Sequence, residues 1–379
     1  MELLIAGDFC PNARLERSDF SDAEAISPSL SAIIQGADYS IVNFECPVEE
    51  KVAEPLLKQG PNFKCAPSAM TYLKRVGFSA VTLANNHIRD FGDDALLDTI
   101  RCAKDNGLDY VGAGMPDDLQ RESLFLSSKG RTVAIINCCE NEFSITDDRS
   151  VGANALNPVR QFRQIVKAKT SADYVVVIVH GGVEHFQYPT PRMKETYRFF
   201  IEAGADAVVN HHQHCYSGYE VYLGKPIFYG LGNFCFDWEG KRHLPWNEGF
   251  LVCLSLNDDK SSYRLYPYTQ CNEKPVVELM DDNASTQFYG NIDKISEAIK
   301  DDKVLQSLIS NFYSSTEQDY RLALEPYSSR IGVGLYRRNL LPSFVSKQRV
   351  LKFIDFVKCE SHRDRLEAFL NKQYTRFVK

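Results

Sequence analysis

No stretch of about 18 or more uninterrupted apolar residues, the length a membrane-crossing helix needs, occurs anywhere in the 379-residue sequence. The first residues, Met1-Glu2-Leu3-Leu4-Ile5-Ala6-Gly7-Asp8, lack the basic start of a secretory leader and reach an acid early, so a cytoplasmic location is expected. Spaced cysteine pairs are missing too. The eleven cysteines stand singly apart from the adjacent Cys138-Cys139, which excludes zinc-knuckle and thioredoxin spacings and predicts reduced, mostly buried thiols. Positive charge is also short: a net charge of -7 argues against a nucleic-acid-binding protein. The exception is Arg330 to Lys379, with twelve Lys and Arg against four Asp and Glu. Such a tail either presents a solvated basic helix face or makes peripheral contact with an anionic membrane, a polymer or a synthase.

With 44% hydrophobic residues the chain can bury a large core. Short β-rich apolar runs alternate with amphipathic stretches, the pattern of an α/β domain. Strands are expected at Glu2 to Ala6, Tyr39 to Asn43, Ala80 to Leu83, Val133 to Asn137, Tyr174 to Val179, Ala207 to Asn210 and Pro226 to Tyr229. Helices are expected at Ser68 to Val76, Asp93 to Asp105, Pro158 to Lys169 and Pro191 to Glu202, several of them opened by a cap or a first-turn proline. Phe250 to Leu256 and Tyr263 to Tyr268 read as antiparallel strands, which makes the sheets mixed. Past Met280 the pattern turns to polar helices around Ile295 to Phe312, a loop with Pro326, Gly332 and Gly334, and a helix pair at Phe344 to Val357 and Arg363 to Leu370. A domain over 1–280 and a helical basic region over 281–379 are the expected organisation.

The polar residues fall where the strands end. Gly7-Asp8, Asn43-Phe44-Glu45, Asn85-Asn86-His87, His180-Gly181-Gly182 and His211-His212-Gln213-His214 each follow an apolar run. In an open α/β sheet such carboxyl ends converge on one crevice. Imidazole, carboxylate and amide oxygen are ligands for divalent transition metals, and carboxylates bridge paired ions. A polar loop that merely clusters histidines is the competing reading of the 211–214 run. Asp8 alone reads as a turn residue, and Asn85 reads equally as a helix cap. Glu184 and His185 are suited either to steadying the site or to a surface pair. Phe186, Tyr188, Phe236 and Trp238 are candidates for a pocket wall or for packing.

Taken together with Asp90, Gly92, Glu184 and Gly230-Leu231-Gly232-Asn233-Phe234, these motifs resemble the CapA family of bacterial capsule or poly-γ-glutamate synthesis proteins over residues 2 to 240. That family belongs to the calcineurin-like metallophosphoesterases. The resemblance implies a four-layer α/β/β/α sandwich with a binuclear metal centre. One ion would take Glu45, Asn86, His180 and His212; the other would take Asp8 and His214 and share Glu45; His87 would stand over the scissile group as proton donor or charge stabiliser. Cys10, Asn43, Asn85, Asp90, Glu184 and His211 are further ligands or supports. The first motif departs from the superfamily's Asp-x-His, since Asp8-Phe9-Cys10 puts a thiol where a histidine is expected, and Glu45 replaces the usual bridging aspartate with a longer arm.

The function implied is a metal-dependent hydrolase of phosphoesterase type, using one or two ions of Mn, Fe, Zn or Ni on a phosphorylated or polymer-precursor substrate. Cleavage or transfer of amide or γ-glutamyl bonds at the same metal is an alternative. A third reading is a non-catalytic assembly component of a polymer synthase.

Overall fold

Side chains alternate along the first strand, Glu2–Phe9, in a way that decides the layering: Leu3 and Ile5 enter one apolar core and Leu4 and Ala6 another. A strand buried on both faces needs a layer on each side. Ile41 and Val42 divide likewise in Tyr39–Phe44, as do Ala80 and Val81 in Ala80–Thr82. The computed structural model describes residues 1–15, 20, 25–49, 53–146, 149–257 and 262–378.

The first sheet runs Val277–Leu279, Ser262–Gln270, Glu248–Ser255, Glu2–Phe9, Tyr39–Phe44, Ala80–Thr82, Asp109–Val111, with Asn233–Cys235 also pairing with Glu2–Phe9. Its Glu2-to-Val111 half is parallel, and the later strands join it antiparallel as the expected meander. The second sheet runs Tyr219–Tyr222, Lys225–Phe228, Ala207–His211, Tyr174–His180, Arg131–Cys139, Ser123–Ser128, parallel inside and antiparallel at both edges. One core joins the first sheet to Pro28–Gly36, Ser68–Val76 and Gly92–Asp105 through Leu30, Leu73 and Leu96. The other fills the space between the sheets and reaches Pro158–Lys169 and Pro191–Glu202 through Ile165, Tyr197 and Phe200. The result is the α/β/β/α sandwich with mixed sheets.

Helix boundaries follow local chemistry. Asn157 accepts hydrogen bonds from the backbone N–H groups of Val159 and Arg160, and Thr190 from that of Met193, so both proline-led helices start where the sequence placed them. The helix Pro28–Gly36 and the edge strand Ser123–Ser128 were not anticipated, the strand because its pattern is half exposed.

Two compact units emerge, Met1–Gln306 and Ser307–Lys379. The expected boundary near 280 therefore moves, because the helix Asp282–Lys300, capped by Asp281, buries Phe288, Ile292, Ile295 and Ile299 in the core of the first unit. The expected polar helices around Ile295 to Phe312 divide at Asp301, whose carboxylate accepts from the Lys303 N–H and so starts a new helix, Asp302–Ala323. Gly332 and Gly334 are helical rather than looped, since Ser329 caps Arg330–Arg337 by accepting from the Gly332 N–H. Lys347–Lys358 and Glu360–Val378 complete the second unit. No helix among the described residues is long and apolar enough to cross a membrane. All eleven cysteines are free thiols, and all but Cys359 are buried.

Candidate metal centre

Strand register assembles the site. Asp8 pairs with Asn43 on one side and Asn233 on the other, and His180 stands beside His211 in the second sheet. The pairing slips at Gly7, where the Asp8 N–H donates to the Gly232 carbonyl at 3.2 Å. A Cβ on Gly7 would sit 1.9 Å from that oxygen, so only glycine permits the approach that turns Asp8 inward. His212 and His214 hold φ of +88° and +54°, a left-handed conformation that costs a β-carbon-bearing residue free energy. Two hydrogen bonds stabilise it: the His212 N–H donates to Asp8 Oδ2 at 3.2 Å, and the His185 N–H to the Gln213 carbonyl at 2.8 Å.

Around Glu45 the side chains face inward and are shut off from solvent. His180 Nε2 lies 3.0 Å from Asn86 Oδ1, 3.1 Å from His212 Nδ1 and 3.5 Å from Glu45 Oε1. His214 Nε2 lies 3.8 Å from the same Glu45 oxygen, and its Nδ1 is 2.9 Å from Asn233 Oδ1 and 3.9 Å from Asp8 Oδ2. Ligand atoms of Glu45, His180 and His212 form one group within 4.8 Å of one another, and those of Asp8, Glu45 and His214 a second. Neighbouring ligands around an ion with bonds of about 2.1 Å stand about 3.0–3.4 Å apart, close to the 3.0, 3.1 and 3.5 Å that separate His180 Nε2 from Asn86, His212 and Glu45.

Electrostatics supports the same use. Burial raises the Asp8 carboxyl to about 7, against hydrogen bonds from Asn43 and the His212 N–H that lower it, and it raises Glu45 well above its ordinary value, helped by Asp8. Burial lowers His212 to about 4 and His211 to about 3, and holds His180 and His214 well below the usual imidazole range. The imidazoles are thus neutral, with lone pairs available to a cation. Both Glu45 carboxylate oxygens are buried with no hydrogen-bond partner among the described residues. A buried, unpartnered carboxyl is destabilising by several kcal/mol as an ion and disfavoured even as an acid. A divalent cation removes that conflict, so the residues present fit the implied metal.

The remaining sequence candidates divide. Asn43 Nδ2 donates to Asp8 Oδ1 at 2.8 Å and reaches His180 Nδ1 at 3.2 Å, orienting both groups. Asn85 is a brace: its amide donates to the Phe44 carbonyl and its oxygen accepts from the His87 N–H. His87 Nδ1 lies 2.7 Å from Asp90 Oδ2, so Asp90 orients the imidazole through Nδ1. His211 is buried 3.5 Å from Asp8 Oδ1 and belongs to neither ligand group. Glu184 is half exposed and belongs to neither group. Cys10 is corrected from a ligand candidate to a core residue. Its thiol hydrogen-bonds to Cys46, burial raises it to about 11, and it packs in the core shared with the helices of the first sheet. Phe236 is fully buried edge-on to His214, whereas Trp238 is partly exposed.

Three further residues escaped the sequence reading. Lys58 is buried against Asp90 and lies 3.1 Å from His87 Nδ1; it sits in a segment without periodicity, where nothing marks it. Glu142 hydrogen-bonds to Asn86 and stands 3.7 Å from His212 Nε2. Asn233 lies inside a motif already noted, Gly230 to Phe234, but only the register shows that it fixes the His214 ring.

Layering and site together define a two-sheet α/β protein with a buried carboxylate, imidazole and amide centre suited to divalent metals. The chain belongs to the family of bacterial capsule synthesis proteins PGA_cap, whose model matches residues 2–238. It is 32% identical over 265 residues to the capsule biosynthesis protein CapA of Bacillus anthracis, covering 67% of this chain and 64% of that one. It is 30% identical over 235 residues to the PGA biosynthesis protein CapA of Bacillus subtilis, covering 61% and 62%. The matched part thus spans a little under two thirds of each relative's own length. Among solved structures, a phosphatase of Mycoplasma pneumoniae aligns at 15% identity with a TM-score of 0.43, covering 77% of this chain and 98% of that one.

Proposed function

We propose that this chain is a metal-dependent hydrolase of phosphoester bonds working in capsule or poly-γ-glutamate synthesis. The observation that carries the reading is Glu45, a fully buried carboxyl whose two oxygens have no hydrogen-bond partner among the described residues, shared by two groups of ligand atoms. Glu45, Asn86, His180 and His212 would hold one divalent ion; Asp8 and His214, with Glu45 between them, would hold a second. When bound, such ions supply Lewis-acid stabilisation of phosphoryl charge and a water acidic enough to serve as nucleophile.

The chain's own residues do the rest. Asn233 holds His214 in orientation by accepting from its Nδ1–H, keeping Nε2 toward Glu45, while Asn43 fixes Asp8 by donating to its Oδ1. His87, steadied through Nδ1 by Asp90 with Lys58 beside both, presents Nε2 to give a proton to the leaving oxygen. The apolar walls given by Phe63, 4.7 Å from the His87 ring, and Phe236 exclude water from that transfer.

The test is turnover of generic phosphomonoesters and phosphodiesters by protein reconstituted with Mn or Zn, with elemental analysis of the same samples. Loss of turnover in His87→Ala with metal content unchanged is expected. Cleavage of γ-glutamyl amides in place of phosphoesters, or metal-loaded protein that turns over neither, would contradict the proposal.

A further inference from the structure

In the second unit the helices Lys347–Lys358 and Glu360–Val378 contain no buried side chain among their described residues. Phe356 meets His362 at 6.2 Å between ring centroids, and an open groove of about 480 Å³ is lined by Phe356, His362, Arg365, Leu366 and Phe369. Meanwhile Leu351, Ile354 and Val357 follow one another at helical spacing with 54%, 44% and 64% of their surface exposed. On the following helix Phe369 and Leu370 are 56% and 53% exposed. Isolated helices of this length are marginal in water, and their stability comes from packing an amphipathic face. Neither helix buries these faces within the second unit, and apolar faces left exposed in this way call for cover.

Charge selects the cover. Lys347 and Lys358 share the helix face of Leu351, Ile354 and Val357, and Arg365 stands one turn before Phe369, within a segment that carries twelve basic against four acidic side chains. A second copy would bring like charge against like charge across the interface. A surface of anionic headgroups over acyl chains matches both properties, taking the basic heads at the phosphate level and the apolar side chains just below. With no helix among the described residues able to span, the helices would lie in the interface plane.

We propose that the Lys347–Lys358 and Glu360–Val378 helices form a membrane-surface binding element for anionic lipid. The inference does not depend on the metal chemistry. Full-length protein is sedimented with phosphatidylcholine vesicles and with vesicles that also contain phosphatidylglycerol. Binding to the anionic vesicles, weakened by added salt and much lower on the neutral ones, is expected. Lys358→Ala should lower the anionic affinity about fivefold, and Leu351→Asp with Ile354→Asp at least tenfold, with melting curves unchanged because the altered side chains are exposed. Leu370→Asp, on the neighbouring helix, gives an independent loss. Equal binding to both vesicle types, binding to neither, capture of an acidic protein or polymer in place of vesicles, or a dimer in solution that Ile354→Asp dissociates would each overturn the proposal.

Discussion

The metal centre and the C-terminal helix pair are opposite mismatches with their surroundings. In the first, a carboxyl and a histidine run are sealed from water with Glu45 unpartnered; in the second, aliphatic and aromatic side chains stand in solvent with no core beneath them. Folding free energy alone favours neither arrangement, since buried polar groups seek partners and apolar faces seek cover. The lesson is that polarity out of place points to a missing partner, and that its sign gives the partner's chemistry: a cation for the one, an amphipathic anionic surface for the other.

The largest break in this comparison is Glu45→Leu. It should lower phosphoesterase turnover at least a thousandfold, by order of magnitude, and yet raise the melting temperature of metal-stripped protein by about 2–4 °C, because an unpartnered buried carboxyl is replaced by an apolar group of similar volume. A lower melting temperature would mean that Glu45 has a structural partner. Next comes His87→Ala, with an expected loss of about 10²–10⁴ in kcat and no change in metal content; kinetics and elemental analysis on one preparation separate the two.

Acid should be next in effect, and its sign follows from the ligand set. His180, His211, His212 and His214 are held below the ordinary imidazole value by burial, so as pH falls through about 6.5 the unfolded chain takes up protons that the folded chain refuses. Asp8 and Glu45, raised by burial, act the other way: the folded state binds their protons first between about pH 7 and 4. Four imidazoles against two carboxyls leave a net loss of stability for metal-stripped protein between about pH 6 and 4, measurable by urea unfolding at each pH. A flat profile there would show that the imidazoles stay accessible to protons. The smallest effect belongs to the other region: Ile354→Asp should change unfolding free energy by less than about 0.5 kcal/mol, whereas burial of that side chain against protein would make the loss several times larger.

Much of this was legible in the sequence because strands that end in ligands report on topology. Once Glu2 to Ala6, Tyr39 to Asn43 and Tyr174 to Val179 are read as strands, Asp8, Asn43, Glu45 and His180 fall at or just past their carboxyl ends without further information. What stayed hidden depends on contacts across the chain. Lys58 reaches Asp90 from an irregular segment, and no local pattern encodes that approach. Cys10 looked like a substitute ligand by spacing, yet the strand carries its thiol toward Cys46 in the core. The unit boundary lies at Gln306 and not near 280 because Phe288, Ile292, Ile295 and Ile299 make an apolar stripe inside a mostly polar helix, which average composition masks.

The central claim is that Glu45 is buried to share divalent cations. Metal titration calorimetry on stripped protein, followed by elemental analysis after gel filtration, tests it most directly with the parent chain and Glu45→Leu side by side. The account predicts at least one tightly held Mn or Zn per parent chain and none retained by the variant. A parent chain that binds no ion, or a variant that retains the parent's full complement, would contradict it.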